Sequence, residues 1–457
     1  MELETPRTFR DRPINITDTG HRKWIYARQP KGIWYTRRTI VAWIAISFLV
    51  LAPFVKINGN PLMLFDVANR KFSIFGQMIW AQDSYLMALI MGVTVVFIVL
   101  FTVIYGRLWC GWACPQTLFL EMVYRRIEYL FEGNYRGSKK NHKVTSQNFL
   151  RKMAKHAVFI LISILITNIF LNWIIGPERL WAIISEPIQM HLFGFFVMLG
   201  ISIFYYWIYA FFREQVCTMI CPYGRLQGVL LDSKSVAVIY DYKRGEPRGP
   251  KSTGDCIDCH QCISVCPTGI DIKNGSQLEC INCTACIDEC NIVMEKINRP
   301  KNLIRFDSVY GLETGKRSVL NARTYAYSGV LAILIVFLGI AIFERKPIDT
   351  TILRVSGSIY QRVDSVNYSN LYLLKIINKT QTDKRINLKL ITPGSGTIQL
   401  TTGQTLLKTQ GILESVVIVN LNKKDLTGKS TPIEVGIYEG NTLLQQYHTN
   451  FLGPDRK

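Results

Sequence analysis

Five long apolar stretches separate the polar segments of this chain of 457 residues. An α-helix rises about 1.5 Å per residue, so about 20 apolar residues cross a hydrocarbon core of roughly 30 Å. Buried helices of a soluble protein are the alternative, but five such stretches in one chain favour membrane spans. The predicted spans run approximately through Thr39–Val55, Ser84–Tyr105, Ala157–Ile175, Leu192–Phe212 and Tyr325–Phe343.

The pattern changes after the fifth stretch. Beyond Arg345, short segments alternate apolar and polar residues and are bounded by Gly, Pro, Asn and Asp. Alternation with a period of two predicts half-buried strands, and about seven of them in roughly 110 residues are typical of an immunoglobulin-like sandwich. The segment PQTLFLEMVYRRIEYLFEG, after the second stretch, instead has helical spacing and mixed charge. It predicts an amphipathic helix on the membrane surface.

The distribution of charge predicts an orientation. The chain has 53 Lys and Arg against 33 Asp and Glu, a formal net charge of +20. The basic residues are concentrated before the first span and between the second and third. The positive-inside rule therefore predicts a cytoplasmic N-terminus and a C-terminal portion outside. This topology explains much of the charge and no nucleic-acid motif accompanies it, so nucleic acid is not an expected partner. The polar start also lacks the apolar core of a signal peptide, so the first span is expected to anchor the chain.

Eight of the 12 cysteines form two runs, each with the spacing C-x2-C-x2-C-x3-C. In two-cluster ferredoxins this spacing gives three ligands to one [4Fe–4S] cluster and the fourth to the other. Zinc knuckles or disulfides are the alternatives, but zinc sites usually separate two C-x2-C pairs by a longer loop. The spacing therefore predicts two [4Fe–4S] clusters and transfer of single electrons. The first cluster is assigned to Cys256, Cys259, Cys262 and Cys290, and the second to Cys266, Cys280, Cys283 and Cys286.

The remaining four cysteines form a repeat, C-x3-C-P, at the predicted cytoplasmic ends of spans two and four. They are Cys110, Cys114, Cys217 and Cys221. Spans one and two therefore look like a duplicate of spans three and four, and a duplication would bring both pairs to one membrane face. Because residues i and i+4 share a helix face, each pair is expected to offer two sulfurs to one ion.

The proline after each pair suits the first turn of a new helix. Cys114 and Cys221 are therefore expected at helix N-termini, where the dipole favours the thiolate and lowers the thiol pKa. Four converging thiolates favour soft ions: Cu(I), Zn, or iron in a cluster. Cysteines that merely pack buried helices are the alternative, but two matching pairs favour a metal or redox site. His156 and His191 fall at opposite membrane faces and cannot flank one haem, and no NAD or ATP motif is present.

Several stretches of the chain together resemble one known family. They are YGRLWCGWACPQTLF, CTMICPYGRLQ, the doubled ferredoxin motif and the C-terminal sandwich, with LFDVANRKFSIFG between the first two spans. Over essentially its whole length the chain closely resembles the cbb3-type cytochrome oxidase accessory proteins called CcoG, FixG or RdxA. Two features depart from the usual two-cluster ferredoxin. Asn291 stands where proline would follow the last cysteine, and the gap from Cys266 to Cys280 is short.

The resemblance implies a membrane-bound Cu(II) reductase that supports copper delivery to the oxidase. It implies cluster ligands at the eight ferredoxin cysteines, and copper-handling thiols at Cys110, Cys114, Cys217 and Cys221. It also implies the bacterial inner membrane as the location, and a copper-exporting ATPase and oxidase assembly factors as partners. The electron donor is not named by the sequence. Soft thiolates bind Cu(I) better than Cu(II), which would raise the potential of the copper couple.

Three other functions stay open at this point. Related quinol-oxidising membrane ferredoxins share the C-x3-C-P pairs and the double cluster. A copper chaperone or assembly scaffold would bind Cu(I) without turnover. The C-x3-C-P pairs could also hold a third iron–sulfur cluster.

The expected fold is a polytopic α-helical membrane protein with five spans, a two-[4Fe–4S] ferredoxin domain and a C-terminal immunoglobulin-like β-sandwich. Five parts are predicted along the chain. They are a basic cytoplasmic arm (1–38), a four-span membrane core with both C-x3-C-P motifs (39–231), a cytoplasmic ferredoxin-type domain (232–323), a fifth span (324–345) and a periplasmic sandwich (346–457).

Overall fold

The computed structural model divides the chain into two units. It describes residues 21–22, 24–67, 71–80, 83–133, 149–275, 277–316, 321–355, 357, 359–380, 382–401, 403, 406–409 and 411–454. The first unit comprises Met1–Val55, Pro61–Phe72 and Ala81–Leu338, and the second comprises Lys56–Asn60, Ser73–Trp80 and Gly339–Lys457. Residues 1–20 of the predicted basic arm lie outside the described residues.

Five helices in the described part of the chain are long and apolar enough to cross a membrane. They are Ile33–Leu51, Ser84–Tyr105, Phe149–Ile175, Leu192–Phe212 and Ala322–Phe343. At most 22% of the apolar window of any one of them is buried within the protein. Lipid can cover the rest, because hydrocarbon is as apolar as these side chains. The predicted five-span helical fold is confirmed.

Three of these helices begin earlier than hydropathy predicts. The first begins at Ile33 rather than Thr39, the third at Phe149 rather than Ala157, and the fifth at Ala322 rather than Tyr325. Each has lysine or arginine near its start, and an apolar window leaves such residues out. The first helix also ends earlier than predicted, at Leu51. Hydropathy therefore located the apolar centres of the helices but not their ends.

The helix predicted after the first C-x3-C-P motif is present, but it packs inside the bundle. It runs through Pro115–Phe119, a π-helical turn Leu120–Tyr124, and Arg125–Glu132. Its buried side chains share a core with Ala42 of the first span and Phe159 of the third. The predicted helix therefore exists, and its apolar stripe contacts protein. The other short helical segments of this bundle are Leu108–Trp112, Pro177–Ser185, Ile188–Met190, Val216–Ile220 and Pro222–Leu230.

The cysteine runs lie in a small domain with its own core. Strand Ala237–Tyr240 pairs antiparallel with Ile304–Asp307, and Val238 lies opposite Phe306. Both cysteine runs lie between these two strands in sequence. The helical segments are Tyr242–Gly245, Gln261–Ser264, Ile272–Asn274, Ala285–Lys296 and Val309–Thr314. The core combines apolar residues such as Ile287 with the cysteines themselves.

The segment between the first two spans forms short strands. They are Lys56–Ile57, Asn60–Pro61, Met63–Asp66, Lys71–Ile74 and Gln77–Trp80. Asn60 links two parts of this segment, because its side-chain amide donates a hydrogen bond to the carbonyl oxygen of Gly76 at 3.0 Å.

The C-terminal portion is a sandwich of two antiparallel sheets. One sheet has the order Thr397–Leu400, Ile412–Asn422, Asn367–Asn378 and Ile348–Arg354, with Gln361–Arg362 also paired to Asn367–Asn378. The other has the order Leu406–Leu407, Lys384–Thr392, Ser430–Glu439 and Thr442–Leu452. Inward residues of both sheets, such as Tyr372, Ile386 and Phe451, form one core. The immunoglobulin-like fold is confirmed. Strand 406–407 lies outside the predicted strand segments and is too short to show alternation.

Candidate redox centres

The two cysteine runs share one backbone conformation. In each run, the residue before the second cysteine and the residue after it have positive φ. These are Asp258 (55°) and His260 (55°) in the first run, and Asn282 (52°) and Thr284 (66°) in the second. A left-handed conformation is a genuine outlier for a β-branched residue, and such strain persists only where the surroundings enforce it. Both loops therefore curl in the same way around a small space.

The space inside the first loop is a cavity lined by cysteines of both runs. They are Cys256, Cys259, Cys262 and Cys290. Cys290 reaches this cavity from helix Ala285–Lys296, which follows the second loop. Met294, Leu303 and Ile304 supply apolar wall. The structure thus brings together the four residues that the sequence assigns to the first cluster.

The second loop encloses the matching cavity. Its walls carry Cys266, Cys280, Cys283 and Cys286, and Cys262 also reaches it. Cys266 comes from the first run, so each run supplies one of the assigned ligands of the other run's cavity. The remaining wall is mainly apolar, with Val238, Ile270 and Ile272. The four residues assigned to the second cluster are therefore also neighbours.

The chemistry of both cavities fits a [4Fe–4S] cluster. Each presents four thiols, which iron requires as thiolates, on a largely apolar wall. Burial raises the pKa of the Cys280 and Cys290 thiols to about 12 and that of Cys283 to about 11. Backbone amides of Asn282, Ala285 and Ile304 oppose this by donating to the sulfurs. Iron binding would therefore displace protons from the buried thiols.

The two cavities differ in their access to solvent. Cys259 at the first cavity is exposed, and the adjacent His260 side chain is 61% exposed. At the second cavity, Cys266 and Cys283 are buried. An electron carrier from solvent can therefore approach the first cavity more closely than the second.

The absence of proline after the last cysteine has a structural reason. Cys290 lies inside the helix Ala285–Lys296, and Asn291 continues that helix. A proline there would remove a helix hydrogen bond and clash with the preceding turn. The Asn291 side-chain oxygen also accepts a hydrogen bond from the backbone N–H of Asn302 at 2.7 Å.

The C-x3-C-P motifs meet, as the duplication predicts. The four thiols are close enough to influence one another. In addition to burial, a negative charge on Cys114, Cys110 or Cys221 raises the pKa of the Cys217 thiol, and one on Cys114 or Cys221 raises the pKa of Cys110. The hydroxyl of the buried Thr117 lies within hydrogen-bonding reach of Cys114 and of Cys217, one from each motif. We call the four residues Cys110, Cys114, Cys217 and Cys221 the tetrathiol site.

The two cysteines of each pair were expected to share one helix face, and they do not. Cys110 lies in the helix Leu108–Trp112, and Cys114 has extended backbone and caps the next helix at Pro115. Cys217 lies in a π-helical turn, and Cys221 is likewise the cap before a proline-led helix. The proline therefore starts a new helix, as predicted, but it also ends the i/i+4 register across each motif.

The pKa of the Cys114 thiol is also not lowered. Cys114 does receive hydrogen bonds from the backbone N–H groups of Gln116 and Thr117, as a residue at a helix N-terminus should. Burial nevertheless raises the pKa of Cys114 and Cys110, and it raises that of Cys217 to about 12. Desolvation disfavours the thiolate more strongly than the short helix end favours it.

One cation lies beside the tetrathiol site. Arg107 is buried, and its Nε donates to Oε1 of Gln227 at 2.9 Å. The same amide oxygen lies 3.4 Å from the Cys110 sulfur, which donates to it. A Cβ at Gly224 would lie 2.7 Å from Nη2 of Arg107 and 2.9 Å from the Cys217 carbonyl oxygen. Glycine thus allows the second motif to pack closely against the first.

In the part of the chain that the structure describes, no three Cys, His, Asp or Glu side chains are placed to hold a single metal ion. This holds for the tetrathiol site as well as for the two cavities. A two-coordinate Cu(I) ion needs only two thiols, and a cubane needs thiols that stand further apart than ligands of one ion. This geometry is therefore compatible with either a Cu(I) ion or a third iron–sulfur cluster at the tetrathiol site.

The tetrathiol site packs directly against the loop of the second cavity. A Cβ at Gly111 would clash with the carbonyl oxygen of Ile281 and lie 3.2 Å from the Cα of Cys283. The indole Nε1 of Trp112 donates to the Asn282 carbonyl oxygen at 3.1 Å. Cys110, Ile281 and Cys283 share one small apolar cluster. The first motif and the second ferredoxin loop are thus in van der Waals contact.

Several residues of this junction were not found from the sequence. They are Arg38, Arg107, Gly111, Thr117, Gln227 and Asn282. Gly111 and Thr117 lie within or just after the first motif, and their position was the available signal. The others act across long sequence separations, which pattern reasoning does not reach.

Comparison with known sequence families agrees with this arrangement. A family described as a 4Fe-4S dicluster domain matches residues 212–253 and 246–309, and one described as a 4Fe-4S binding domain matches residues 87–136. The family described as the IG-like fold at the C-terminal of FixG matches residues 338–454. The iron–sulfur matches include the residues of both C-x3-C-P motifs.

Three curated relatives extend these matches over most of the chain. Protein RdxA of Cereibacter sphaeroides is 30% identical over 384 residues, which cover 80% of this chain and 81% of RdxA. Protein RdxB of the same organism is 30% identical over 386 residues, 78% of this chain and 80% of RdxB. The nitrogen fixation protein FixG of Rhizobium meliloti is 29% identical over 305 residues, 62% of this chain and 57% of FixG. With five spans, paired ferredoxin cavities and a FixG-type sandwich, the chain belongs to the FixG/RdxA family of membrane iron–sulfur electron-transfer proteins.

Proposed function

We propose that this membrane iron–sulfur protein reduces Cu(II) to Cu(I) at the tetrathiol site, to supply copper for assembly of a cbb3-type cytochrome oxidase. The observation that carries the proposal is the contact of Gly111, inside the first C-x3-C-P motif, with Ile281 and Cys283 of the second loop. Electron transfer weakens steeply with distance, and here no other residue separates the motif from the loop.

The ferredoxin cysteines and the tetrathiol site have different roles in the proposed reaction. The ferredoxin cysteines hold two [4Fe–4S] clusters, which, when bound, supply one electron at a time. Cu(II) consumes one electron to become Cu(I), so one oxidation of a cluster balances one reduction of copper. Cys110, Cys114, Cys217 and Cys221 bind the product, since soft thiolates select Cu(I). Arg107 and Thr117 support the thiolate form that this binding needs.

The proposed topology follows from the positive-inside rule. The N-terminus, the ferredoxin domain and the tetrathiol site face the cytoplasm of a bacterial inner membrane, and the sandwich faces the periplasm. Cu(I) would then be produced inside and passed to a copper-exporting ATPase and oxidase assembly factors, as the resemblance implies. The exposed edge at Cys259 is the proposed entry for electrons from the donor.

A quinol-oxidising function is the second candidate, and one cavity favours it. A cleft of about 390 Å³ lies at one end of spans three and four, lined by apolar residues such as Leu171 and Phe195. His191 and Glu186 form a hydrogen-bonded pair there. The cleft is large enough for a ring-shaped lipid-soluble ligand. However, span four separates it from Cys217, and 21 residues of helix are about 30 Å long. Direct transfer from this cleft to the tetrathiol site is therefore too slow.

Anaerobic single-turnover reduction of Cu(II) tests the proposal. The full chain is purified in detergent, its clusters are reduced, excess reductant is removed, and Cu(II) is added with a Cu(I)-specific chromogenic chelator. We expect about one Cu(I) per electron stored in the clusters, with cluster oxidation seen by EPR. The variants C110S/C114S and C217S/C221S should each keep the cluster signals and lose most of the Cu(II) reduction. The two losses should not add, because the four thiols act as a unit.

Three outcomes would contradict the proposal. Full reduction by both double variants would leave the thiols as packing residues. Cu(I) binding without any reduction by the wild type would identify a chaperone or scaffold. If quinol rather than a soluble reductant reduced the clusters, and Cu(II) did not reoxidise them, the quinol-oxidising function would replace copper reduction.

A further inference from the structure

Arg38 is a charged side chain that the structure buries almost completely. It lies near the start of the first span helix, Ile33–Leu51, and is 1% exposed. Burying a charge is strongly unfavourable unless a partner compensates it. Its neighbour Arg37, one position earlier, is exposed and stacks on the Trp34 ring at 5.3 Å. The two arginines thus offer the same charge in opposite environments.

The protein partners of Arg38 do not neutralise its charge. Its Nε donates to the carbonyl oxygen of Gly111 at 2.7 Å. Its Nη2 is buried and has no hydrogen-bond partner. Among the described residues, no carboxylate forms an ion pair with Arg38, whereas buried Arg125 pairs with Glu121 at 2.5 Å. A cation in this state indicates that a negative group other than a protein carboxylate balances it.

The second cavity lies next to this uncompensated guanidinium. The residue that holds Arg38, Gly111, is in contact with Ile281 and Cys283 of the second loop. Burial raises the pKa of the Cys283 thiol, and the nearby positive charge of Arg38 opposes this effect. Glu121 acts on the same thiol in the opposite sense, but Arg125 pairs with it. The net field on the second loop from this side is therefore positive.

We propose that Arg38 is the counter-charge of the second cluster and raises its reduction potential. This inference rests on cluster binding at Cys266, Cys280, Cys283 and Cys286, and it holds whether or not copper is the final acceptor. Reduction adds one negative charge to a site that already carries four thiolates. A fixed cation in a buried, poorly screened position stabilises the reduced form more than the oxidised form. The second cluster would then accept electrons from the more exposed first cluster.

The test is an EPR-monitored redox titration of the full chain with both clusters bound. Arg38→Met removes the charge and keeps most of the side-chain length. We expect one of the two midpoint potentials to fall, so that the ratio of reduced to oxidised cluster drops at least tenfold at the wild-type midpoint, which is 59 mV for one electron. Arg38→Lys keeps the charge and should restore most of the potential. The matched control, Arg37→Met, should move neither midpoint.

Two results would overturn the proposal. One is an unchanged pair of midpoints in Arg38→Met with both signals at full intensity. The other is an equal fall in Arg38→Lys, which would identify a packing role rather than a charge. If Arg38→Met does not retain its iron, Arg38→Gln decides the question, because it removes the charge and keeps a donor that can reach the Gly111 carbonyl oxygen. Its midpoint should fall in the same way, and an unchanged midpoint would reject the counter-charge.

Discussion

The carboxylate of Asp288 caps the first span helix through the backbone of Tyr35. Its Oδ2 accepts a hydrogen bond from the Tyr35 N–H at 2.7 Å, and its Oδ1 accepts one from Trp34 at 3.2 Å. Asp288 lies between Cys286 and Cys290 on the ferredoxin helix Ala285–Lys296. A cluster-bearing helix therefore satisfies the free amides at the start of a membrane span.

Replacing Asp288 by alanine should loosen the ferredoxin domain from the first span. Loss of a helix cap costs about 0.5–2 kcal/mol, and here two partly buried amides also lose their acceptor. We expect a lower unfolding temperature in detergent and faster loss of iron on dilution. Glu295→Gln, on the exposed face of the same helix, is the control and should change neither quantity. An unfolding temperature equal to that of the wild type would show that the cap contributes nothing.

Gly111→Ala should disturb the junction between the tetrathiol site and the second loop. The new Cβ would clash with a backbone oxygen, that of Ile281, and backbone cannot move away as a flexible side chain can. Overpacking of this kind costs about 1–3 kcal/mol. We expect a changed EPR line shape for one cluster and slower Cu(II) reduction. Gly92→Ala is the matched control, because no atom lies within 4 Å of its added Cβ. Identical spectra for Gly111→Ala and the wild type would mean that the loops are not in contact.

Iron analysis should show whether the tetrathiol site holds a third iron–sulfur cluster or leaves its thiols for copper. Two [4Fe–4S] clusters give about eight irons per chain in anaerobically purified protein. About twelve irons, falling to eight in C110S/C114S, would show a third cluster at that site. Zinc in place of iron, with no EPR signal after reduction, would remove the cluster assignment altogether.

Labelling of introduced cysteines should report the orientation. An impermeant thiol probe should label Ser365→Cys of the sandwich in intact spheroplasts and should fail to label Thr253→Cys of the ferredoxin domain. Both positions are exposed, so accessibility within the protein is matched. After the membrane is opened, both should react. Labelling of Thr253→Cys alone in intact cells would reverse the proposed topology.

The sequence revealed what short periodic patterns encode. Apolar length gave the five spans, alternation gave the main strands of the sandwich, and cysteine spacing gave groupings that coincide with the two cavities. These signals are local, or they depend on fixed spacing within one segment. The i/i+4 geometry of Cys110 and Cys114 was wrong because the following proline, itself correctly interpreted, starts a new helix at Pro115 and so ends the previous one.

The rest depended on contacts between distant residues. Trp112 and Asn282 are 170 positions apart, and Tyr35 and Asp288 are 253 apart. The sequence around one residue of such a pair does not indicate which distant residue it contacts. The burial of Arg38 was likewise hidden, because an arginine before an apolar stretch is usually a cytoplasmic anchor. The thiol pKa values were misjudged for the same reason, since burial depends on what packs around a residue.

The cap on the first span also sets an order for the synthesis of the protein. A chain emerges from the ribosome N-terminus first, so the first span enters the bilayer long before its cap exists. Asp288 follows Tyr35 by 253 residues, and spans two, three and four are translated in between. The end of the first span therefore stays uncapped until the ferredoxin helix has formed. The membrane part of this protein is thus complete only after the ferredoxin domain has folded.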